Sequence, residues 1–350
     1  MGCVMNKKWI ESNTFHHSEF KDLDRLIKAK QQKGVSISLC LPTLNEEKTI
    51  AKEIVIMRSE LMTRYPLIDE IVVIDSGSTD KTRHIARSYH ATVYQADDIL
   101  PHLEKFRGKG ENLWKALYVT RGDIVVYIDA DIKNIHHRFA YGLLGPLLLS
   151  DRIQFTKAFY DRPISLGDNK LRPTGGGRVT ELVTRPLFSL FMPDLTQFLQ
   201  PLSGEYAGYR SIFESIPFHI GYGVETGMLI DIYEKWGLDV MAQVDLDRRV
   251  HKNQDTKALG RMAFVIIKTF LNRVQKLNRV DIKQEIFDEM IQYSLIRDML
   301  QPQMHVLAQF ERPPMSQIPD YMKRSADRVS TSFSGNDVPP QSPIDVPNKK

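Results

Sequence analysis

The sequence predicts an α/β fold in which helices flank a mostly parallel, Rossmann-like sheet. The five consecutive apolar residues at 124–128 are all β-branched or aromatic, which is typical of a strand buried on both faces of a sheet. That run ends in Asp129-Ala130-Asp131, so two carboxylates are expected at the crevice where open α/β sheets bind ligands. Upstream of it, strand, acidic loop and helix patterns alternate, which indicates a doubly wound sheet.

The remaining elements follow from apolar periodicity along the chain. Residues 1–34 predict a helical extension, and a helix after the first strand carries Ile50, Ile54, Met57 and Leu61 on one face. Strands are predicted at 35–41, 71–74, 92–94, 124–128, 154–160 and 240–244. Further helices are predicted at 81–89, from 113, at 139–149, from 178, from 225 and within 256–300.

The Asp-x-Asp segment is the first candidate site. Two carboxylates this close repel each other unless a cation accompanies them, and carboxylate oxygens suit Mg²⁺ or Mn²⁺. The alternative is a strand followed by an ordinary Asp-rich turn. The segment by itself leaves both interpretations open.

Two glycine-containing segments suggest anion binding. Lys109 lies between two glycines just before a predicted helix, where a lysine can contact a phosphate. Its spacing does not match a Walker A motif, and a surface turn is the alternative. At 174–182, three glycines precede Arg178 and Thr180, a combination that describes an oxyanion or phosphate pocket rather than a merely flexible loop.

The second half holds less specific signals. Glu225 opens a predicted helix, where an acid in the first turn is favourable without any function. His251 follows a predicted strand, and a lone histidine is more often an ordinary residue than a ligand. Residues from 311 onward are rich in proline, serine and aspartate, which predicts a mobile tail.

Composition restricts the functional class. The chain has 350 residues, a net charge of +4 and a pI near 8.8, which is too mildly basic to indicate nucleic-acid binding. Cys3 and Cys40 have no paired spacing, and no apolar run reaches membrane-spanning length, so a cytoplasmic protein without membrane contacts is expected. A Gly-x-Gly-x-x-Gly motif does not follow the first strand, which disfavours a dinucleotide oxidoreductase.

Together, the motifs resemble a known family. The acidic loop at 75–80 and Asp129-Ala130-Asp131 are similar to the nucleotide-sugar domain of GT-A glycosyltransferases. The combination with the segments 107–111, 174–182, 200–206 and 221–225 resembles glucosyl-3-phosphoglycerate synthases, over roughly residues 36–273. The resemblance implies a nucleotide-sugar-binding core at 35–160, an acceptor-binding part at 161–255 and C-terminal helices at 256–310, between the extension 1–34 and the tail 311–350.

The resemblance also assigns site residues. It implies catalytic roles for Asp131, Lys109 and Glu225, with Glu225 facing the sugar, and a divalent metal, Mg²⁺ or Mn²⁺, on Asp131 and His251. The donor nucleotide would contact Pro42, Thr43, Leu44, Glu46, Ser76, Lys109, Asp129, Ala130 and Asp131. The acceptor would contact Gly177, Arg178, Thr180, Tyr222 and Asn253. Ala130 stands where the family usually has serine, and Thr43 where it often has alanine, so one hydroxyl contact to the nucleotide is expected to be missing.

The implied function is retaining transfer of glucose, preferably from UDP-glucose, to the 2-hydroxyl of 3-phosphoglycerate by a homodimeric enzyme. A related transferase with a mannose donor or another acceptor is the nearest alternative. A polyprenyl-phosphate glycosyltransferase is disfavoured because the sequence has no membrane segment. A non-catalytic nucleotide-sugar-binding protein is the alternative from a different class.

Overall fold

The structure is a computed structural model that describes residues 7–162, 164–165, 171–172, 177–250, 255–296 and 298–324. The chain divides into a large unit, Met1–Met315, and a small C-terminal unit, Ser316–Lys350. The site described below belongs to the large unit. In the small unit, the described residues end in a helical turn at 319–324.

An eight-stranded sheet forms the centre of the large unit, in the order β1-β11-β6-β9-β5-β2-β3-β4. Its strands are β1 (Thr14–His16), β2 (Ile37–Thr43), β3 (Glu70–Asp75), β4 (Thr92–Gln95), β5 (Ile124–Tyr127), β6 (Phe155–Asp161), β9 (Tyr206–Tyr209) and β11 (Met241–Arg248). Only β9 runs antiparallel to its neighbours, β5 and β6. The predicted α/β class with a mostly parallel sheet is confirmed.

Three two-stranded pairs complete the strands. They join β7 (Ile164–Ser165) to β8 (Leu171–Arg172), β10 (Phe218–His219) to β14 (Glu311–Arg312), and β12 (Glu289–Ile296) to β13 (Met299–Val306), each pair antiparallel.

In the described part of the large unit, ten α-helices connect and cover these strands. They are α1 (Lys7–Asn13), α2 (Leu23–Lys33), α3 (Ile50–Arg58), α4 (Thr82–Ser88), α5 (Lys109–Val119), α6 (Arg138–Leu149), α7 (Arg185–Phe191), α8 (Arg210–Glu214), α9 (Val224–Trp236) and α10 (Thr256–Lys276). None of the helices in the described part of the chain is long and apolar enough to cross a membrane.

Strand β5 lies in the middle of the sheet between β2 and β9, which explains its uninterrupted apolar sequence. All four of its residues, and Ile128 after it, are fully buried. The predicted apolar face of α3 is also buried, since Ile50, Ile54 and Met57 pack into the same core as β5. Burying large aliphatic side chains contributes about 1.5–3 kcal/mol each, so this layer contributes much of the stability of the fold.

The N-terminal prediction is only partly right. Residues 7–33 contain α1 and α2, but Thr14–His16 form the edge strand β1, parallel to β11. Three residues carry too little periodicity to reveal a strand. Their pairing depends on β11, which lies more than 220 residues away in sequence.

The prediction of helices throughout 256–310 is wrong after Lys276. Residues Glu289–Ile296 and Met299–Val306 form a β-hairpin that turns at Asp298, whose φ is 62°. The alternation of apolar and polar side chains from Ile291 to Leu295 is the signal that could have favoured a strand over a helix.

The predicted start of the mobile tail at 311 is also wrong. Glu311 and Arg312 pair with β10, and Arg312 is buried against the carboxylate of Glu111, with Nη2–Oε1 at 2.7 Å. A proline-rich composition does not reveal such a buried ion pair. Residues from 325 onward, Cys3 and residues 173–176 lie outside the described part of the chain, whereas Cys40 is buried as a free thiol.

Candidate active site

A cavity of about 620 Å³ opens at the carboxyl ends of β2, β3 and β5. This is the edge where parallel sheets bind ligands. The predicted site residues within the described chain all line it: Pro42, Thr43, Leu44, Glu46, Ser76, Lys109, Asp129, Ala130, Asp131, Gly177, Arg178, Thr180, Tyr222 and Glu225. His251 and Asn253 lie outside the described residues.

One end of the cavity is shaped by the loop after β3. Buried Asp75 accepts hydrogen bonds from the backbone N–H groups of Gly77 (3.0 Å) and Ser78 (2.9 Å) on one carboxylate oxygen. Its other oxygen accepts from the hydroxyls of Thr43 (3.3 Å) and Ser78. The carboxylate therefore fixes the loop from beneath and leaves Ser76 at the cavity wall. Thr43, which departs from the family pattern, directs its hydroxyl at Asp75.

Leu44 and Glu46 extend this end of the cavity. Leu44 is 54% exposed, so it offers an accessible apolar surface on the cavity wall. Partial burial and the nearby charge of Asp131 raise the pKa of Glu46 to about 7. Glu46 thus changes charge near neutral pH at the rim of the acidic cluster described next.

The carboxylates of Asp129 and Asp131 share one cation. Arg249 Nη2 donates to Asp129 Oδ2 at 3.1 Å and to Asp131 Oδ1 at 2.7 Å. Between these two residues, Ala130 is buried and its carbonyl accepts a hydrogen bond from Thr49 Oγ1 at 2.6 Å. Both acids line the cavity, whereas Ala130 packs into the hydrophobic core.

Lys109 joins Asp129 to the far wall. Its Nζ lies 2.5 Å from Asp129 Oδ1 and 2.8 Å from Glu225 Oε1. Burial disfavours the ammonium charge, but the two carboxylates outweigh this effect and raise the pKa of Lys109. Burial likewise opposes ionisation of Asp129, yet Lys109 and Arg249 lower its pKa to about 2. Both groups are therefore charged at neutral pH.

Three residues of this network escaped the sequence analysis as site residues. Arg249 Nε lies 3.1 Å from Glu205 Oε1, and Tyr160 Oη donates to Glu205 Oε2 at 2.5 Å. Burial raises the pKa of Glu205, which Arg249 opposes. Arg249 comes directly after β11 at the same sheet edge as Asp129, and that position is the signal that could have identified it.

The cavity wall also carries positive charge. Arg107, Arg162 and Arg178 all line it. Arg162 Nη2 donates to Tyr160 Oη at 2.9 Å, which holds its guanidinium near the carboxylate network. Gly177 has a φ of 77°, a conformation that glycine adopts without strain, and directs the chain into the helical turn that begins at Arg178. Three arginines on the wall of one cavity favour an anionic ligand.

Glu225 also lines the cavity. It is the second residue of α9 and only 5% exposed. The alternative interpretation, an acid that only stabilises the first turn of a helix, does not account for its ion pair with Lys109. Tyr222, just before α9, is 49% exposed at the cavity.

The donor set fits a divalent cation. Asp129 and Asp131 are converging oxygen ligands of the kind that Mg²⁺ and Mn²⁺ prefer, and a single cationic nitrogen already satisfies both. Asp131 is the more accessible of the two, with 35% of its side chain exposed. GT-A enzymes use a divalent metal at this position, and this chain keeps both carboxylates.

Comparison with known proteins identifies the family. Residues 38–139 match the model of glycosyl transferase family 2. Glucosyl-3-phosphoglycerate synthase of Petrotoga mobilis is 53% identical over 317 residues, covering 90% of this chain and 97% of the relative. The enzyme of the same name from Mycobacterium tuberculosis is 48% identical over 242 residues, covering 69% of this chain and 74% of the relative.

Solved structures agree. Mannosyl-3-phosphoglycerate synthase of Rubrobacter xylanophilus superposes with a TM-score of 0.82 at 37% identity, covering 91% of this chain and 99% of that one. Glucosyl-3-phosphoglycerate synthase of M. tuberculosis, in complex with Mn²⁺, uridine diphosphate and phosphoglyceric acid, superposes with a TM-score of 0.76 at 39% identity, covering 87% and 98%. The fold, the cavity and the sequence identity lead to one conclusion: this chain belongs to the glucosyl-3-phosphoglycerate synthase family of GT-A glycosyltransferases.

Proposed function

We propose that this chain transfers glucose from UDP-glucose to the 2-hydroxyl of 3-phosphoglycerate with retention at the anomeric carbon. The product, glucosyl-3-phosphoglycerate, is the first intermediate of glucosylglycerate synthesis. The observation that carries the proposal is a single cavity lined both by paired carboxylates with a lysine and by three arginines. Relatives that are about 50% identical to this chain are named glucosyl-3-phosphoglycerate synthase.

At the donor end, the residues act on the departing diphosphate. Breaking the anomeric C–O bond leaves negative charge on the diphosphate oxygens. Lys109 is charged at neutral pH, so its ammonium group would stabilise this negative charge. Asp131, with His251 as a second ligand, would hold the divalent cation, and Asp129 would align beside them. When bound, the cation supplies Lewis-acid neutralisation of the leaving group.

The nucleoside would lie along the loops after β2 and β3. Pro42, Thr43, Leu44, Glu46 and Ser76 all line the cavity. Since Asp75 fixes the loop by four hydrogen bonds, the wall is preorganised before the ligand arrives.

At the acceptor end, Arg178 and Thr180 would bind the phosphate or carboxylate of 3-phosphoglycerate, assisted by the backbone of Gly177, by Tyr222 and by Asn253. Bidentate arginine contacts orient as well as attract, so they would direct the 2-hydroxyl toward the anomeric carbon. Arg107 and Arg162 extend the positive surface, which suits an acceptor with two anionic groups.

Glu225 positions the sugar in this proposal. A carboxylate nucleophile is the route to retention in most retaining glycosidases. The oxygen Oε1 of Glu225 is committed to Lys109 at 2.8 Å, and such an ion pair reduces its nucleophilicity. We therefore favour attack of the acceptor hydroxyl on the face that the diphosphate leaves, with a leaving oxygen taking the hydroxyl proton.

The nearest alternative is the same chemistry with a mannose donor, because a mannosyl-3-phosphoglycerate synthase superposes with a TM-score of 0.82. The deciding experiment incubates purified protein and 3-phosphoglycerate with UDP-glucose, GDP-glucose, UDP-mannose and GDP-mannose, with Mn²⁺ or Mg²⁺ or with EDTA. We expect glucosyl-3-phosphoglycerate by mass spectrometry, fastest from UDP-glucose, with an α-anomeric NMR coupling and no turnover in EDTA.

Two results would reject the proposal. If unphosphorylated glycerate is turned over as fast as 3-phosphoglycerate, the assignment of the acceptor pocket is wrong. Tight UDP binding with no product over long incubation would favour the non-catalytic alternative.

We further propose that the enzyme is a homodimer. The hairpin of β12 and β13 leaves several large apolar side chains mostly exposed, among them Leu295 (70%), Leu300 (67%) and Val306 (68%). Such a surface on a two-stranded ribbon is typical of a protein interface. Light scattering should give twice the 40.3 kDa chain mass, and L295E/L300E should give the monomer.

A cytoplasmic location is also proposed. Cys40 is a free thiol, which is consistent with a reducing compartment, and both proposed substrates are multiply charged phosphates. Detection of the protein in a cytosolic fraction of its own cells would test this.

A further inference from the structure

A second cluster of ligand-type side chains lies on another strand edge of the sheet. Among the described residues, one group of histidine, cysteine, aspartate and glutamate brings three possible ligand atoms within 4.8 Å of one another: His16, His17 and Asp247. None of the three lines the candidate active-site cavity. We propose that His16, His17 and Asp247 form a binding site for a transition-metal dication such as Zn²⁺.

Local backbone geometry builds the cluster. His16 ends β1, and the chain turns at once into the 3₁₀ turn His17–Phe20. Successive side chains on a straight strand point to opposite faces, but this turn brings the two imidazoles to the same side, with ring centroids 4.5 Å apart. Both Nε2 atoms then face one carboxylate: His16 at 3.0 Å from Oδ1 and His17 at 2.7 Å from Oδ2 of Asp247.

Asp247 is held in an uncommon conformation. Its φ is 66°, in the left-handed region, at the point where the register between β11 and β6 shifts. Aspartate tolerates this region better than most residues. Its backbone N–H donates to Asp245 Oδ1 at 2.9 Å, which stabilises the bulge and presents the Asp247 carboxylate to the histidines.

The outer nitrogens of both imidazoles have partners, as metal-binding histidines usually do. Nδ1 of His17 lies 2.9 Å from Tyr141 Oη, and Nδ1 of His16 lies 2.6 Å from Ser18 Oγ. With one metal ion on both Nε2 atoms, Nδ1 of His17 donates its proton to Tyr141 Oη and Nδ1 of His16 donates to Ser18 Oγ, so metal binding replaces the hydrogen bond that His16 Nδ1 otherwise accepts from the backbone N–H of Ser18 at 3.3 Å. This arrangement fixes the ring orientation and raises the basicity of the ligand nitrogen.

The donor set selects the metal class. Two imidazoles and one carboxylate suit Zn²⁺, Co²⁺, Ni²⁺ or Cu²⁺, whereas Mg²⁺ and Ca²⁺ need several oxygens. The Nε of Arg138 lies 3.6 Å from Asp247 Oδ2, so a nearby positive charge moderates the affinity. The side chains of His16 and Asp247 are 44% and 47% exposed, which leaves the remaining coordination positions open to water.

The site joins the N-terminal edge strand to the end of β11. The histidines belong to the N-terminal segment, and Asp247 lies two residues before Arg249, the cation that bridges the acidic cluster. A bound metal would therefore fasten the edge strand to the end of β11 and stabilise the folded chain by mass action.

The test separates this site from the catalytic one. Tag-free protein carrying D131A, which removes the expected catalytic ligand, is equilibrated with ZnCl₂, and bound zinc is counted by mass spectrometry. We expect one zinc ion per chain, and at least 100-fold weaker binding after H16Q/H17Q or D247N is added. Asparagine keeps the left-handed backbone accessible at 247, so D247N tests the carboxylate without disrupting the bulge.

A matched control is the pair His136 and His137, also adjacent and with rings 4.1 Å apart. H136Q/H137Q should leave the zinc count unchanged. Y141F should weaken binding by about tenfold, the usual effect of losing a hydrogen bond to a metal-ligating histidine. Co²⁺ in place of Zn²⁺ should give visible d–d absorption that H17Q abolishes.

In the background with Asp131 intact, H16Q/H17Q should retain turnover, because the site is separate from the reaction. Unchanged zinc stoichiometry in H16Q/H17Q, or loss of zinc in H136Q/H137Q, would overturn the proposal. Neither result depends on which sugar the enzyme transfers.

Discussion

Arg249 pairs with three carboxylates in the cavity, so replacing it tests the ionic network of the site most directly. The side chain is 5% exposed and contacts Asp129, Asp131 and Glu205 at 3.1, 2.7 and 3.1 Å. Arg249→Gln keeps the polar character and much of the length but deletes the charge. Three carboxylates are then left within a few ångströms of one another with Lys109 as their nearest cation.

The expected loss of stability follows from these distances. At an effective dielectric constant of about 20, each contact near 3 Å contributes a gross attraction of about 5 kcal/mol. Desolvation of the four ionised groups offsets most of that sum. Measured losses on removing one partner of a buried ion pair are about 3–5 kcal/mol, and we expect R249Q to lose that amount of unfolding free energy at pH 8.

The loss should depend on pH in a defined direction. In the wild type, Lys109 and Arg249 hold the pKa of Asp129 near 2 against the effect of burial, so Asp129 stays ionised from pH 8 to pH 5. Without Arg249 the pKa values of the clustered carboxyl groups rise. A carboxyl group whose pKa is raised in the folded state opposes folding above that pKa, and protonation relieves the penalty as the pH falls. The difference between wild type and R249Q should therefore shrink from pH 8 to pH 5.

Urea unfolding followed by circular dichroism at both pH values measures this difference. Arg248→Gln is the matched control, because Arg248 is the exposed neighbour of the buried arginine and should change stability by less than about 0.5 kcal/mol. If R249Q does not fold at pH 8, R249K gives an intermediate case. A loss below 1 kcal/mol, or an equal loss at both pH values, would refute the assignment of Arg249 as the counter-ion of the cluster.

Three further predictions concern turnover. Asp131→Ala should reduce kcat by more than about 10³-fold while leaving the melting temperature of the protein nearly unchanged, as measured by product formation and calorimetry; normal activity would exclude Asp131 as a metal ligand. Arg178→Ala should raise KM for 3-phosphoglycerate by about 10–100-fold with a smaller change in kcat, since a charge-assisted contact contributes about 1.5–3 kcal/mol; an unchanged KM would remove it from the acceptor pocket. Glu225→Gln should lower kcat by about 10–100-fold if it positions the sugar, and trapping of a glycosyl-enzyme on wild-type Glu225 by mass spectrometry would show a nucleophile instead.

Much of the sheet could be predicted because its strands are locally obvious. The fully buried run of β5 and the alternating loop and helix patterns around β2 and β3 carry their own periodicity. Strand β9 was missed, since its four residues, Tyr206–Tyr209, are inserted antiparallel between β5 and β6. Their pairing is decided by the two neighbouring strands and not by any pattern within the segment.

For the site, the individual motifs predicted which residues line the cavity, but not how they pair. Lys109 was expected to contact a phosphate, and in the structure it also links Asp129 to Glu225. Arg249 and Glu205 form an ion pair although they lie more than 40 residues apart along the chain. No sequence spacing predicts that these two residues are partners. Partner choice in a buried ionic network is a tertiary property, so a single sequence contains it only implicitly.

Two glycines in the site motifs, Gly204 and Gly110, carry no reactive group but are required by close packing. A Cβ atom on Gly204 would lie 2.0 Å from Asp129 Oδ2 and 2.5 Å from Lys109 Nζ, and a Cβ atom on Gly110 would lie 1.7 Å from the carbonyl oxygen of His219. Gly204 therefore admits the loop beside the Lys109–Asp129 pair, and Gly110 lets the helix that begins at Lys109 pack directly on β10. A larger residue at 204 would displace the charged groups, and one at 110 would displace the helix that carries Lys109, so backbone packing and the electrostatics of the cavity constrain the sequence together.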